Sequence, residues 1–371
     1  MSVEELRPSE SSVSVVRHQI PVAYTLTGAL ALAVFFTWAP WILPASFVTT
    51  LMNFFILVIM ATMWNLLAGY AGMVSIGQQA FIGLGAYATL YFAIKGMEPF
   101  VAIPLATVIC GLIAFPVTYL LFRLRGGYFS VATWVVADSA MLIIGSIAFF
   151  GGGTGHYLPG LTTIPYKALT HDTYLAAWFV ALIVIVATYI LLRSRLGLVL
   201  SSVRDNEVAA RSSGAKVTST RRTIFIVAAA GCGAAGAVLA ISQPFIQLGN
   251  EFNLQWAAEM LFASMIGGLG TIEGPILGCI IYFVLQQTLQ NYGAWYLIIF
   301  GALAVAVAIW QPRGIWGFIR DQFHFELLPV GYRVRGPAVS SDVSSAPPVR
   351  LWRRKEQPVA PPAEPDTTRR D

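Results

Sequence analysis

Apolar stretches long enough to cross a lipid bilayer recur along most of this chain, and they limit its fold more than any other feature. A crossing helix needs about 20 apolar residues. With 57% hydrophobic and only 11% charged residues, the chain carries far less charge than a soluble domain normally does. The sequence therefore predicts an all-α, polytopic membrane helix bundle of about ten transmembrane segments, within a range of eight to ten. The candidate segments are 20–43, 47–68, 73–94, 99–122, 128–150, 173–192, 223–243, 254–272, 275–289 and 294–311.

The basic residues predict how these segments are oriented. If the N-terminus is cytoplasmic and the segments alternate, 21 of the 23 Lys and Arg residues are cytoplasmic, and only Lys95 and Lys167 lie outside. The positive-inside rule predicts this asymmetry. Segments 254–272 and 275–289 are the weakest, and either could be a re-entrant half-helix. If only one failed to cross, the basic tail would lie outside, so parity favours ten crossings, or eight with both turning back.

Three regions follow from this pattern. Residues 1–19 are polar and lack the apolar core of a cleavable signal, so we expect a cytoplasmic N-terminal segment. Residues 20–317 form the transmembrane domain, which includes a charged cytoplasmic loop at 193–222. Residues 318–371 are polar and rich in proline, which predicts a disordered cytoplasmic tail.

Several kinds of chemistry are not expected. The net charge of +5 is spread between apolar segments, so we expect no nucleic-acid binding. No Gly-Lys dipeptide occurs, so there is no Walker A loop, and the four histidines have no metal-ligand spacing. Cys110, Cys232 and Cys279 fall inside apolar segments, where cysteine acts as a small packing residue. We therefore predict no catalytic residue, no metal site and no cofactor bound by this chain.

Polar residues inside the predicted spans are candidates for a translocation path. Ser75, Gln78 and Gln79 lie near the cytoplasmic end of a segment rich in small residues, which either lines the path or bonds to neighbouring helices. Asp138 is the charge in the middle of a long span, where an unpaired carboxylate is costly. It either lines the path or anchors the helix through hydrogen bonds.

Glycine and alanine mark three further regions. The loop 151–172 contains a glycine cluster with Gly153, followed by His156, and is either a mobile lip over a substrate entrance or an ordinary connector. Residues 224–242 are almost all small, which predicts a helix packed on several sides. The five glycines between 267 and 278 favour close helix crossing and a turn over a phosphate-binding loop.

The loop 193–222 contains the signals of a short helix. Asp205 or Asn206 is a suitable N-cap, and Gly214 can close the helix. Glu207 falls in the first turn, with Arg211 four residues later. Ala209 and Ala210 leave a low-profile face that could enter a groove in a partner. A loop lying on anionic lipid is the alternative.

Four motifs in order along 43–317 carry a family resemblance: WNLLAGYAGMVSIGQQAFIGLGAYA, LRGGYFSVAT, VRDNEVAARSSGAKV and MIGGLGTIEGPILG. The third resembles the docking motif of ABC-importer permeases, in which Glu-Ala-Ala is followed three residues later by glycine. Together they resemble the membrane subunit of the high-affinity branched-chain amino acid ABC importers. Gln78 departs from the family pattern, because a histidine is common there. The related urea and amide importers share most of these motifs.

The resemblance implies an ABC-importer permease architecture in a bacterial inner membrane, with both termini cytoplasmic. It implies a second homologous permease, two cytoplasmic ABC ATPase subunits that bind the ATP, and an extracytoplasmic substrate-binding protein. Gly153 and His156 are then candidates for the loop that faces this receptor. The residues that couple to the ATPase would be Arg204, Asp205, Asn206, Glu207, Ala209, Ala210, Arg211 and Gly214.

Other functions remain open at this stage. The substrate is a branched-chain amino acid, or alternatively urea or a short amide. An ion-coupled secondary carrier would use Asp138, Glu259 or Glu273 as its titrating group. A channel or a structural membrane scaffold would show no concentrative uptake.

Overall fold

The computed structural model describes residues 14–16, 22–124, 126–161, 164–205, 207–289, 295–311, 314–323 and 333–335. A π-helical turn at Leu66–Tyr70 extends α2, and a 3-10 turn at Ala148–Phe150 follows α5. The strands are β1 Ser14–Val16, β2 His156–Tyr157, β3 Phe245–Ile246 and β4 Arg333–Arg335. The helices are α1 Val22–Ile42, α2 Ala45–Asn65, α3 Gln79–Ile94, α4 Pro99–Leu121, α5 Gly127–Ser146, α6 Tyr166–Arg193, α7 Arg195–Asp205, α8 Glu207–Ser212, α9 Val217–Ser242, α10 Leu248–Glu251, α11 Leu254–Gly267, α12 Glu273–Leu289, α13 Trp295–Trp310 and α14 Gly314–Phe323.

The chain divides into two units. Met1–Arg17 and Gly331–Asp371 form the smaller one, in which β1 and β4 pair antiparallel, and His18–Val330 forms the helical unit. Of the tail expected to be disordered, only α14 in part and β4 are described, and the rest lies outside the described residues. Most of the N-terminal segment 1–19 also lies outside them.

Each of the ten predicted segments overlaps a helix, which confirms the helical membrane bundle. Within the described residues, five helices are long and apolar enough to cross a bilayer: Ala45–Tyr70, Pro99–Leu121, Gly127–Ser146, Tyr166–Arg193 and Val217–Ser242. Shorter apolar helices occur at Leu30–Ile42 and Gln79–Ile94. Helix α11, with 14 residues, is about 21 Å long at 1.5 Å per residue, which is shorter than a bilayer core of about 30 Å.

The third predicted segment is only partly helical, because residues 73–78 form no helix before α3 begins at Gln79. Side chains take up their backbone hydrogen bonds instead. Ser130 donates to the Val74 carbonyl at 2.6 Å, and the Ile76 amide donates to the Thr133 hydroxyl at 3.1 Å. The sequence prediction of a continuous helix was therefore wrong at this end, since α5 supplies partners that only the fold brings near.

Helix α9 lies at the centre of the helical unit and packs against α2, α3, α4 and α6. Its glycines contact a different neighbour on each side: Gly231 lies on Met63 of α2, Gly233 on Cys110 of α4 and Gly236 on the α3 backbone. No Cβ fits at these positions without a shift of its neighbours. The prediction of a small-residue helix packed on several sides is confirmed.

Helices α11 and α12 pack against each other and are joined by the turn 268–272. Gly267 lies on the Gly274 carbonyl and Gly278 on the Ala263 carbonyl, so the two backbones touch. This confirms that the glycines between 267 and 278 serve close helix crossing and a turn.

The connections of the helical unit gather at two ends. At one, called the α8 end, Asn65 contacts the turn 268–272 and Arg204 contacts the π-helical turn. At the other, called the β2 end, β2 pairs with β3, and the Tyr87 ring packs against Phe150 with 5.4 Å between centroids.

Candidate functional sites

Helices α7 and α8 pack against each other at the α8 end and are separated by residue 206 alone. Gly214 closes α8 with a positive φ of 85°. The Gly214 amide donates to the Arg211 carbonyl and the Ala215 amide to the Ala210 carbonyl, each at 3.0 Å, which is the paired arrangement of a Schellman cap. The predicted closure at Gly214 is confirmed. Asn206 and the side chain of Asp205, the candidate N-caps, lie outside the described residues.

The two alanines of α8 have different environments. Ala210 is 3% exposed and packs with Val203 of α7 and Val217 of α9. Ala209 is exposed, and the neighbouring Val208 is 74% exposed. The expected low-profile face therefore excludes Ala210, because this small apolar cluster sets the rotation of α8. The exposed surface consists of Val208, Ala209 and their polar neighbours.

Glu207 joins α8 to the central helix. Its carboxylate lies 2.7 Å from Nη2 of Arg211, the predicted i+4 partner, and 3.0 Å from Nη1 of Arg221 on α9. Partial burial acts to raise the pKa of Glu207, but the hydrogen bonds of Arg211 and the charge of Arg221 outweigh it and hold the pKa below its usual value. At neutral pH the carboxylate is therefore charged and bridges α8 to α9.

A second connection runs from α7 to the ends of α2 and α11. Arg204 donates to the Gly69 carbonyl at 3.4 Å, and its guanidinium lies against Gly270. Asn65, which sequence reasoning did not single out, donates to the Thr271 carbonyl at 2.7 Å and accepts from the Gly270 amide at 2.9 Å. Arg204 and Asn65 thus join α7, α2 and the α11–α12 turn.

The three polar candidates on the third segment are enclosed by protein. Ser75, Gln78 and Gln79 are each at most 1% exposed. Gln78 donates to the Ser75 hydroxyl at 3.3 Å, and among the described residues the side-chain oxygens of Gln78 and Gln79 have no hydrogen-bond partner. Within the part of the chain that the structure describes, protein atoms surround all three side chains.

Asp138 lies apart from these residues, on an exposed face of α5. The opposite face of α5 is buried through Phe129, Thr133 and Ala137 and packs on α3. Within the described part of the chain, Asp138 makes no hydrogen bond or ion pair. The structure therefore does not bring Asp138 together with Gln78 and Gln79.

The β2 end contains Gly153 and His156. Gly153 has a φ of 90°, and His156 is paired with Ile246 across the short strand pair. The Leu158 amide also donates to the Pro244 carbonyl at 2.7 Å. The loop expected to be either a lip or a connector is thus tied to the segment that follows α9.

Two buried carboxylates lie near this end. Glu251 on α10 is 1% exposed, and burial raises its pKa to about 8. Glu259 on α11 is 7% exposed and accepts a hydrogen bond from Gln255 at 2.8 Å. Sequence analysis did not predict their burial, because that depends on the packing of other helices.

A bundle of apolar helices with buried polar groups and a charged pair of short helices at one end is typical of a multi-pass membrane protein. The sequence profile of the family described as branched-chain amino acid transport system / permease component matches residues 46–308. The chain belongs to this family.

Curated relatives agree with this membership. The chain is 25% identical over 285 residues to the high-affinity branched-chain amino acid transport system permease protein LivM of Salmonella typhimurium, covering 70% of this chain and 67% of that protein. It is 26% identical over 268 residues to the autoinducer 2 import system permease protein LsrC of Photorhabdus laumondii, covering 67% and 78%. It is 27% identical over 138 residues to the ribose import permease protein RbsC of Escherichia coli K12, covering 36% and 43%. No solved structure matches the chain.

Proposed function

We propose that this chain is the permease subunit of an ATP-driven importer for branched-chain amino acids. It would form the translocation path with a second homologous permease, while two cytoplasmic ABC ATPases bind the ATP. An extracytoplasmic binding protein would deliver the substrate. Family membership and the LivM relatives support the substrate class, and the ribose and autoinducer 2 permeases among the relatives make a substrate panel necessary.

The attachment of α8 to α9 through Glu207 and Arg221 is the observation that carries the proposal. ATP-driven closure of the ATPases would displace the exposed surface of α8. Because a charged contact of 3.0 Å connects α8 to α9, the central helix would move with it. Arg204 contacts Gly69 and Gly270. Through these contacts a displacement of α7 would also reach α2 and the α11–α12 turn. Rigid-body movement of packed helices then switches access between the two sides.

The α8 end would face the cytoplasm. Arg222 stacks on Tyr119 with 4.0 Å from the guanidinium carbon to the ring centroid, and Arg193 donates to the Tyr189 hydroxyl at 2.7 Å. Basic side chains that extend along aromatic rings are typical of a membrane boundary. The β2 end, with Gly153 and His156, would then face the binding protein.

Uptake by the assembled importer tests the proposal. The chain is reconstituted in liposomes with its second permease, ATPases and binding protein, and ATP-dependent uptake of labelled leucine, isoleucine, valine, urea, acetamide and ribose is measured. We expect concentrative uptake of the three amino acids, insensitive to a protonophore. Accumulation by the chain alone, or uptake abolished by a protonophore while ATP is present, would instead indicate an ion-coupled carrier. Preferred uptake of urea, acetamide or ribose would refute the amino-acid assignment.

A further inference from the structure

We propose that the exposed face of α5 lines the solute path along a seam with a second permease chain, and that Asp138 there contacts the ammonium group of the substrate. This inference rests on the proposed function and specifies which face and which residue form the path. It depends on the depth of Asp138, the composition of the surrounding face and the packing of the bundle centre.

Asp138 lies near the middle of the membrane. Helix α5 has 20 residues from Gly127 to Ser146, so it is about 30 Å long and Asp138 is about 16 Å along it. That length matches a bilayer core of about 30 Å. Along the same face, Val131 and Val135 are each 56% exposed and Leu142 is 73% exposed. Asp138 is thus an exposed carboxylate at the centre of an apolar stripe.

Contact of the exposed face of α5 with lipid is energetically unfavourable. A charged Asp at the centre of a membrane helix costs about 2.5–3.5 kcal/mol on insertion scales. The described exposed faces of α4 and α6 differ, because their central residues, such as Val108, Leu112 and Ile183, are apolar. On the other four long apolar helices, charged residues occur only within two turns of a helix end. The exposed faces of α4 and α6 are therefore suited to contact with lipid. The exposed face of α5 carries Asp138 and requires contact with protein and water.

Among the described residues, the centre of the bundle is closely packed. The backbones of α3 and α9 touch at Gly85 and Gly233, where no Cβ fits. Gln78 and Gln79 are enclosed. We therefore place the path along the surface of this chain, where a second permease chain would enclose it on the other side.

The carboxylate also indicates the class of solute. An ammonium group complements a carboxylate through a charge-assisted hydrogen bond, which is stronger than a neutral one. Leucine, isoleucine and valine carry such a group, whereas urea, short amides and ribose do not. Asp138 in the seam would therefore favour zwitterionic amino acids over the neutral solutes.

Cysteine labelling tests the placement of the face. The native Cys110, Cys232 and Cys279 are buried, so a single introduced thiol can be followed. Val135→Cys lies one turn before Asp138, and Val108→Cys on α4 is a matched control, since the two valines are 56% and 58% exposed. In the assembled importer we expect a membrane-impermeant maleimide to label Val135→Cys several-fold faster than Val108→Cys. We also expect cross-linking of Val135→Cys to the second permease. Equal labelling, or no labelling at Val135→Cys, would overturn the placement.

Uptake tests the role of Asp138. We expect Asp138→Asn to lower labelled leucine uptake roughly tenfold or more, given the usual strength of hydrogen bonds to charged groups, while Asp138→Glu retains most of it. Co-purification of the ATPases shows that each variant is assembled.

The role of Asp138 and the proposed substrate class can be refuted separately. Unchanged leucine uptake by Asp138→Asn overturns the assignment of Asp138 even if the importer works. Absence of leucine uptake by the wild-type importer overturns the proposed substrate class itself. The labelling comparison between Val135→Cys and Val108→Cys does not depend on substrate and still decides where the face lies.

Discussion

The bridge between α8 and α9 leads to a sharp prediction, because Glu207 has two arginine partners with different consequences. Arg221 connects α8 to α9 at 3.0 Å, whereas Arg211 lies within α8 at 2.7 Å. Arg221→Gln therefore removes the charged link to the central helix while the packing of Ala210 on Val217 remains, and Arg211→Gln keeps both. Both variants lose one positive charge, so they are a matched pair.

Arg221→Gln should have a modest effect on the free energy of unfolding and a larger effect on the coupling of ATP hydrolysis to uptake. The side chains of Glu207 and Arg221 are 33% and 24% exposed, so solvent screening limits each ion pair to about 0.2–1 kcal/mol. One kcal/mol corresponds to a change of about fivefold in the fraction of molecules in which the ion pair of Glu207 and Arg221 is formed. We thus expect Arg221→Gln to reduce leucine transported per ATP hydrolysed by up to about fivefold, with little change in Arg211→Gln.

The assay measures uptake and ATP hydrolysis on the same proteoliposomes, after co-purification has shown that the ATPases remain bound. An equal reduction in both variants would refute the link, because it would show that the positive charge around Glu207 matters and the charged contact between α8 and α9 does not. Unchanged coupling in Arg221→Gln would refute it directly.

Three further predictions concern packing, hydrogen bonding and pH. Gly236→Ala should lower the yield of folded protein in detergent several-fold, because its Cβ would overlap the α3 backbone, whereas Gly28→Ala has open space. Asn65→Leu should lower the thermal unfolding temperature and cost about 2–4 kcal/mol, since it leaves the Gly270 amide and one carbonyl without partners. Glu251→Gln should stabilise the protein at pH 8 relative to pH 5, because the folded carboxyl has a pKa of about 8 and its ionisation opposes folding as pH rises from about 4.5.

Each of these has an outcome that contradicts it. Equal yields of Gly236→Ala and Gly28→Ala would show that α3 and α9 can separate at no cost. An unchanged unfolding temperature in Asn65→Leu would show that water or other groups satisfy the freed amide. The same pH dependence of unfolding in Glu251→Gln and the wild type would show that Glu251 does not titrate between folded and unfolded states in this range.

Local features of this chain could be predicted from its sequence because local physics determines them. The spans follow from the length of apolar runs, and the packing of α9 on several sides follows from its high content of alanine and glycine. The closure of α8 at Gly214 follows from a backbone conformation that glycine adopts readily. The contact of Glu207 with Arg211 follows from the helical repeat.

Features that depend on distant partners could not be predicted. The break before α3 needs Ser130 and Thr133 of α5 to satisfy its backbone. The contact of Glu207 with Arg221 joins residues 14 positions apart on different helices, with no repeat to indicate it. The rotation of α8, which buries Ala210, is decided by Val203 and Val217. Predicting any of these three features requires knowing which helices pack against each other.

The alanine and glycine content of α9 has a mechanical consequence. These residues have no side-chain torsion that can switch between rotamers, so a small shift of α9 cannot be absorbed by rearranging its own side chains. Gly231, Gly233 and Gly236 place the α9 backbone directly against three other helices. A displacement of α9 should therefore be transmitted to the helices packed against it. The outer helices must deform to accommodate this movement.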